Sequence, residues 1–370
     1  MEGRGPVVMR SKPELQSAIR DGGRAVLLVN VRSRRGRRLY GTARRMLREA
    51  GLEFAQVFPV NDPSRLRELF ADALALEPDL VVVGGGDGTV AEAVTHLAHR
   101  DVALGVLPLG TTNNFARSLE LPLDLAGAVR TLRDGKVADV DVGWFESTVP
   151  PTGTEAKAGT GDGDGDAEPP GSPGPGAAPV DGATAAEAVA GAPAGGEDVR
   201  HIFANMVSLG LSVRVAEHVP HGLKRLLGRP AYALTAARLL PRHEAFRARI
   251  RIGGETHEVA THQLNVANGA HHSGQRIARD ASPDDRLLAV YKLGDERRLR
   301  LASATARHVL TGPWRTLSEN AFLTTGAVEI ETDPPLPVDV DGEVRGMTPV
   351  SIRLLGNALR VIVPQSFVDT

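Results

Sequence analysis

A glycine-rich segment with an acidic residue in its middle is the first pattern in this sequence that could support chemistry. The letters GGGDGT occupy residues 84–89, directly after the apolar run Leu80–Val83 and ahead of a helical pattern that contains Glu92. Glycines let the backbone turn sharply and leave main-chain N–H groups open, while the following helix adds a partial positive charge. These features favour phosphate binding, with Mg²⁺ or ordered water between the phosphate and Asp87. The alternative is a tight strand-to-helix turn in which Asp87 caps the helix.

A second loop of hydrogen-bonding residues, LPLGTTNNFA over residues 107–116, follows the next apolar run, Val102–Leu107. Neighbouring strands of a parallel sheet end at the same edge, so both loops can face one ligand in the crevice at that edge. Taken alone, an Asn-rich loop is also typical of a helix cap. Neither a GxGxxG dinucleotide turn after the first strand nor a GxxxxGK(S/T) phosphate loop occurs.

The elements that must position these loops alternate between strand and helix. Predicted strands are Arg24–Asn30, Phe54–Val57, Leu80–Val83 and Val102–Leu107, and predicted helices are Leu39–Ala50, Ser64–Leu76 and Val90–His99. Short apolar runs that alternate with helices indicate buried strands of a parallel sheet. The first part of the chain is therefore predicted to be an α/β domain of three layers, with helices on both faces of a parallel sheet.

Beyond residue 200 the pattern changes to short strands separated by Gly, Pro and Asp, which indicates a second, β-rich domain of antiparallel, sandwich-like type. Predicted strands are His201–Met206, Phe246–Ile252, Glu258–Ala267, Leu287–Lys292, Ala327–Thr332, Val350–Leu355 and Leu359–Val363. A helical pattern over Leu223–Leu240 interrupts them. Between the two domains, residues 146–199 are rich in Gly, Pro, Ala and acidic residues, a composition that predicts a disordered insertion.

Length and composition restrict the class of protein. A chain of 370 residues suggests two domains, and 42% hydrophobic with 24% charged residues is typical of a soluble globular protein. Cysteine is absent, which excludes disulfides and thiolate metal sites. No apolar run approaches about 20 residues and Met1–Arg10 lacks a signal-peptide core, so we expect a cytoplasmic protein. Aromatic residues, at 4%, argue against nucleic-acid binding by base stacking.

Taken together, the motifs resemble the catalytic domain of the diacylglycerol kinase family, especially its soluble bacterial lipid kinases. GGGDGT and PLGTTNNFARSLELP (residues 108–122) carry the resemblance, whereas NAD kinases and phosphofructokinases share only the GGDGT part. It continues beyond the insertion in Phe203-Ala204-Asn205 with Ser208 and Gly210, in Asn268-Gly269, in ARDASPDDRLL (residues 278–288) and in Asp341-Gly342-Glu343. Apart from the insertion, it covers Arg24 to Pro364.

The resemblance implies an ATP-dependent kinase that phosphorylates a hydroxyl group of diacylglycerol or a related lipid alcohol with the help of Mg²⁺. Matched residue by residue, the ATP-binding positions are Asn30, Ser33, Gly85, Gly86, Asp87, Gly88, Thr89, Glu92, Gly110, Thr111 and Asn113. Glu343 would accept the proton of the acceptor hydroxyl, with Asp341 in support.

Metal positions follow from the same resemblance. Asp87 and Asp141 would hold Mg²⁺ or its water ligands at the triphosphate, and a structural Mg²⁺ would bind Ser282, Asp285 and Leu287. The implied organisation is an N-terminal extension (1–23), an ATP-binding domain (24–145), the insertion (146–199), an acceptor-binding β-rich domain (200–356) and a C-terminal strand and tail (357–370) that could return to the first domain.

Three departures from the family pattern keep alternatives open. Asn114 stands where most members have Asp, Arg286 stands where they have Gly, and the first loop lacks their Pro and early Gly. An NAD kinase-like small-molecule kinase and a catalytically impaired nucleotide- or lipid-binding homologue therefore remain alternatives.

A basic cluster follows the first strand and consists of Arg32, Arg34, Arg35, Arg37 and Arg38. It could contact ATP phosphates or anionic lipids at the inner membrane face, and a solvated basic loop is the equal alternative. The oligomeric state is open, with a homodimer among the expectations.

Overall fold

The computed structural model describes residues 9–150, 199–219, 235, 238–239, 243–269, 271–272, 275–276, 283–293 and 321–369. Its first part alternates between helix and strand: α1 (Lys12–Arg20), β1 (Ala25–Asn30), α2 (Arg34–Glu49), β2 (Gln56–Val60), α3 (Leu66–Leu74), β3 (Leu80–Gly85), α4 (Asp87–Leu97), β4 (Ala103–Pro108), α5 (Asn114–Ser118), α6 (Leu125–Asp134) and β5 (Lys136–Val149). A 3-10 turn at Pro63–Arg65 precedes α3.

A parallel sheet of order β2-β1-β3-β4 forms the centre of this part, and the end of the last strand, β17 (Glu343–Val363), extends it parallel to β4. Alternate residues of β1 face opposite layers. Val26 and Leu28 pack with α3 and α4, whereas Leu27 and Val29 pack with α1, α2 and α6. The predicted three-layer α/β arrangement is therefore confirmed, and burial on both faces explains the unbroken apolar runs.

The second part is built almost entirely of strands. They are β6 (Val199–Phe203), β7 (Met206–Gly210), β8 (Phe246–Ile252), β9 (Glu255–Thr261), β10 (Gln263–Ala267), β11 (His271–His272), β12 (Gln275–Arg276), β13 (Leu288–Leu293), β14 (Leu323–Thr325), β15 (Ala327–Asp333) and β16 (Pro337–Val340), with one helix, α7 (Leu211–His218). One layer follows the order β14-β13-β10-β7-β16-β17, and β15, β8 and β9 extend from β17 on the other side. Phe203, Leu264, Ile330 and Ile352 fill the core between them, which confirms the sandwich-like prediction.

Two long strands, β5 and β17, run through both parts of the molecule. They pair antiparallel from Lys136 opposite Val363 to Val149 opposite Met347. The predicted strands Val350–Leu355 and Leu359–Val363 are thus segments of one strand, with a register shift between them. Asn357 lies in this shift with φ of 53°, and such a bulge interrupts the side-chain alternation on which the prediction relied.

Some predicted boundaries were wrong. α2 begins at Arg34 rather than Leu39, because the Ser33 hydroxyl accepts a hydrogen bond from Gly36 N (2.9 Å) and caps the helix. Most of the arginines predicted to form a basic loop are therefore in the first turns of α2. The predicted strand His201–Met206 is broken into β6 and β7.

Residues at the N-terminus also belong to the fold. Ser11 and Glu14 form a capping box at the start of α1, and Leu15 is completely buried against the α/β core. The predicted helix Leu223–Leu240 lies outside the described residues except for 235 and 238–239. Among the described helices, none has the length and apolar character needed to cross a bilayer.

Candidate active site

The loops that follow β1, β3 and β4 meet at one edge of the parallel sheet. Asn30, at the end of β1, donates from Nδ2 to Thr89 Oγ1 in α4 (3.2 Å). Arg35, in the first turn of α2, donates to the carbonyl of Gly110 after β4 (3.0 Å). The structure thus brings most of the predicted nucleotide-binding positions together, as expected for the crevice at the carboxyl ends of parallel strands.

Glycines allow the two principal loops to touch. A Cβ atom added to Gly110 would lie 2.4 Å from Cα of Gly86 and 2.6 Å from Asn113 Oδ1. A Cβ atom on Gly85 would lie 2.6 Å from the side chain of Thr89. These glycines are therefore required by close packing as well as by access to main-chain N–H groups.

Asn113 holds the second loop in its conformation. Its φ is 50°, and its side chain accepts from Gly110 N (2.9 Å) and donates to Gly110 O (3.0 Å). With only 5% exposure, Asn113 is a residue that shapes the loop. Ser33, Gly88 and Thr111, by contrast, are exposed around the same edge.

Asp87 is the first residue of α4 and links the two loops. Its Oδ2 accepts a hydrogen bond from the Thr112 hydroxyl (2.6 Å), and its Oδ1 accepts one from Phe115 N (3.3 Å). The carboxylate therefore lies at the positive end of the α4 dipole. It lies partly exposed at the surface of the crevice.

Asp341 organises the turn that carries the late acidic motif. Asp341-Gly342 joins β16 to β17 with φ values of 51° and 100°. The Asp341 carboxylate accepts N–H bonds from Ala204 (2.6 Å), Asn205 (3.0 Å) and Met206 (2.9 Å), and these contacts interrupt the strand predicted there. Burial raises the pKa of Asp341, the three N–H bonds oppose that rise, and the charge of Asp87 adds to it. The acidic turn and the glycine-rich turn are therefore electrostatic neighbours.

Glu343 is exposed at the start of β17 and forms an ion pair with Arg345. Arg345 also affects the first part of the chain, because its charge contributes to lowering the pKa of Glu92 in α4. The larger cause of that lowered pKa is the hydrogen bond between Glu92 and His96 (3.1 Å). Burial, with the charge of Arg345, lowers the pKa of His201 to about 4. Sequence reasoning missed Arg345, whose only signal is its position two residues after Glu343 on the same strand.

Asp141 lies apart from these exposed groups. It is fully buried in β5, where Oδ1 accepts from Asn357 N (2.8 Å) and Oδ2 from Arg286 N (2.8 Å). Its own N–H donates to Pro283 O (2.7 Å). The carboxylate thus fastens the bulge of β17 and the turn before β13 to β5.

The predicted structural metal site is only partly covered by the structure. Asp285 is partly exposed and accepts a hydrogen bond from Leu287 N (3.0 Å), and Leu287 is 40% exposed. Ser282 lies outside the described residues. Within the described part of the chain, no group of three or more His, Cys, Asp or Glu side chains is arranged to hold a metal ion. The metal assignment stays a prediction.

Comparison with known proteins decides the family. The model of the diacylglycerol kinase catalytic domain matches residues 24–145, and that of the YegS C-terminal NAD kinase beta sandwich-like domain matches residues 205–363. This chain belongs to the diacylglycerol kinase catalytic-domain family.

Relatives of this diacylglycerol kinase family member support the same assignment. A protein of Staphylococcus carnosus named "Putative lipid kinase" is 24% identical over 77% of this chain and 76% of its own length. One of Staphylococcus aureus MRSA252 with a name of the same kind is 25% identical over 80% of this chain and 81% of its own. A solved structure titled as a diacylglycerol kinase from Bacillus anthracis has the same fold, with a TM-score of 0.64, 21% identity and coverage of 94% of this chain and 98% of the other.

Arg286 occupies a position where the resemblance to the family predicts Gly, and its φ is 60°. Glycine adopts this left-handed conformation at little cost, so a glycine would suit the backbone of this turn. Here Arg286 takes the same conformation and still donates its N–H to Asp141.

Proposed function

We propose that this protein transfers the γ-phosphoryl group of ATP to a hydroxyl group of a lipid alcohol, such as diacylglycerol or a related acceptor. One observation carries the proposal. Asp87 begins α4 at the junction of the two glycine-containing loops, and its charge contributes to raising the pKa of Asp341 in the turn that precedes Glu343. This supports a site in which the proposed phosphate-binding edge and the proposed proton acceptor act on one ligand pair.

The nucleotide half would act through main-chain groups. The first N–H groups of a helix commonly lack a partner inside the helix. In α4, Thr89 N donates to Gly86 O (3.0 Å), no side chain caps the helix, and the N–H groups of Asp87 and Gly88 would be available to phosphate. The hydrogen bonds of Asn30 to Thr89 and of Arg35 to Gly110 hold the flanking loops in place. Because these contacts already order the edge, a triphosphate would bind to groups that are aligned before it arrives.

The residues present fit a Mg²⁺ ion bound mainly by phosphate oxygens and water. Mg²⁺ commonly uses only one or two carboxylates with substrate phosphates, and Asp87 is partly exposed at the crevice. When bound there, Mg²⁺ would neutralise charge on the transferring phosphoryl group. Asp141 fits this role less well, because it is fully buried and both oxygens accept main-chain N–H bonds.

Glu343 is the proposed proton acceptor. As the acceptor oxygen forms its bond to the γ-phosphorus, the bond from that phosphorus to the bridging oxygen of ADP breaks and the hydroxyl proton passes to Glu343. Asp341 positions the turn through its three N–H contacts, and Arg345 fixes the Glu343 carboxylate through the ion pair. General-base help of this kind contributes about 10²–10⁴-fold to a rate.

Membrane contact belongs to the same proposal. Exposed arginines cover α2, whose first turn adjoins the nucleotide edge through Arg35. Anionic headgroups attract such a surface, which would bring the crevice to lipid acceptors at the inner face of a membrane.

The test is incubation of the purified protein with γ-labelled ATP, Mg²⁺ and a whole-cell lipid extract, followed by identification of the labelled product. We expect a labelled lipid that requires both Mg²⁺ and Asp87, with turnover reduced at least about a hundredfold in E343Q. Labelled NADP from added NAD would instead support the NAD kinase alternative. ATP binding without transfer to any acceptor would support an impaired homologue, and equal turnover in E343Q would refute the proposed base.

A further inference from the structure

The hydroxyl group of Thr112 is bonded to the carboxylate of Asp87 at the nucleotide edge. Thr112 Oγ1 donates to Asp87 Oδ2 over 2.6 Å, a length typical of a hydroxyl bonded to a charged carboxylate. The other oxygen, Oδ1, accepts a longer bond from Phe115 N (3.3 Å). A carboxylate oxygen has two acceptor positions, so both oxygens keep one for a further ligand. The hydroxyl therefore orients the carboxylate without using it up.

Thr112 is itself held in place by its surroundings. Arg117 in α5 donates from Nε to Thr112 O (2.8 Å), and Thr112 is half-buried. The next residue, Asn113, fixes the loop through hydrogen bonds with N and O of Gly110. A branched side chain such as that of threonine has few rotamers, and here its backbone is also anchored. A donor held in this way can set the direction of the Asp87 carboxylate.

The direction of Asp87 matters because the two loops carry no other acidic residue. Residues 84–89 and 107–116 contain Asp87 as their only Asp or Glu. A Mg²⁺ ion held at this edge by phosphate oxygens and water would find no second carboxylate in the loops if Asp87 turned away. Carboxylates that bind metals are commonly oriented by hydrogen bonds, and loss of such a bond costs about 10–100-fold in metal affinity or activity.

We propose that Thr112 is a positioning residue that orients Asp87 for the Mg²⁺ ion that accompanies ATP. This inference rests on the proposed kinase function and adds a residue to the same site. Thr112 acts through Asp87 and makes no contact of its own with the nucleotide. Loss of its hydroxyl therefore weakens the help that Mg²⁺ gives to ATP binding, and leaves the binding of metal-free ATP unchanged.

Calorimetry of nucleotide binding with and without Mg²⁺ tests this role. The dissociation constant of a non-hydrolysable ATP analogue is measured in excess EDTA and in saturating Mg²⁺, and the first value divided by the second is the magnesium factor. T112V keeps the branched side chain and removes the hydroxyl, so it should lower the magnesium factor by about tenfold and leave the affinity in EDTA as in the wild type. T112S keeps the hydroxyl and should retain the wild-type factor. T112A, which removes the same hydroxyl, replaces T112V if that variant does not fold.

The variant D87N shows whether Thr112 acts through Asp87. When T112V is added to D87N, the magnesium factor should fall no further, because two residues that work through one contact are not additive. The matched control is T95V. It removes a half-buried threonine hydroxyl that donates to Ala91 O inside α4 (3.1 Å), and it should bind the analogue as the wild type does in both conditions.

Several results would overturn the inference and leave the kinase function standing. An unchanged magnesium factor in T112V is one, and a further fall when T112V is added to D87N is another. An equal loss of affinity in EDTA and in Mg²⁺ would make Thr112 only a structural bridge between the loops. A reduced factor in T112S would show that the hydroxyl is not the active feature. If Mg²⁺ does not strengthen nucleotide binding in the wild type, the proposed function fails, and this inference fails with it.

Discussion

Replacing Asp339 with Asn should stabilise the protein at neutral pH, and the gain should shrink in mild acid. In the folded protein, burial and neighbouring carboxylates raise the pKa of Asp339 from 3.8 to about 6. The fold therefore favours the protonated carboxyl. The folded state binds the Asp339 proton more tightly than the unfolded state does. The stabilisation that this proton gives is therefore complete below about pH 4 and is lost as pH rises through about 6.

The size of the effect follows from the difference in pKa. Two pKa units at 1.36 kcal/mol each set an upper limit of about 3 kcal/mol on the cost of the ionised carboxylate at pH 7.5. Asn keeps the oxygen that accepts from Gly342 N, so this contact is retained. Because Asp339 is partly exposed, we expect D339N to gain about 1–3 kcal/mol in the free energy of unfolding at pH 7.5.

Thermal unfolding of wild type and D339N at pH 7.5 and pH 4.5 measures this difference. The same linkage predicts that about one-third of the gain persists at pH 4.5, since the unfolded carboxyl is then still largely ionised. D72N controls for the general effect of removing one negative charge. A gain that is the same at both pH values, or a loss of stability at pH 7.5, would refute the assignment of a costly charge to Asp339.

Other substitutions test separate parts of the site. G110A should weaken ATP binding at least about tenfold in calorimetry, because the added methyl group would force Gly86 away. The control G41A has open space around the added methyl group and should bind ATP as the wild type does. Equal affinities of G110A and wild type for ATP would refute the close packing. D341A should lower the free energy of unfolding by about 2–5 kcal/mol in denaturant titrations, since three main-chain N–H groups lose their acceptor. R286G should raise it by about 0.5–1 kcal/mol by relieving a left-handed residue, and a loss of stability would contradict this.

The strand, glycine turn and helix start of the proposed nucleotide edge could be predicted from sequence because their signals are local. Leu80–Val83 leads directly into GGGDGT, and apolar strand, glycines and helix start are all neighbours in the chain. The acidic turn could not be interpreted from its own residues, since Asp341-Gly342-Glu343 alone predicts only a hairpin turn. What gives Asp341 its role is contact with Ala204 to Met206, more than 130 residues earlier in the chain. Contacts between residues so far apart in the chain produce no periodic pattern in the sequence.

The same reasoning explains why Arg345 and Asp339 were not found. Both lie on the strands that flank Asp341-Gly342-Glu343. An Arg or Asp at the surface of a strand is common, so neither its residue type nor its spacing indicates a functional role. Asp339 becomes notable only when β16 is placed beside β7, which puts it next to Ser208, and when the turn brings Asp341 and Glu343 close to it. Charge in this site is set by tertiary neighbours rather than by sequence neighbours.

Strand β17 connects the two halves of the proposed reaction. It begins at Glu343, the proposed proton acceptor, and its far end pairs in parallel with β4, whose following loop carries Gly110. Along most of its length it is hydrogen-bonded to β5, and Asp141 fastens the register shift between Leu355 and Leu359. Phosphoryl transfer depends on alignment of donor and acceptor more than on covalent help from the protein. A continuous strand that belongs to both the nucleotide edge and the acidic turn provides such alignment, which two domains joined only by a flexible linker would lack.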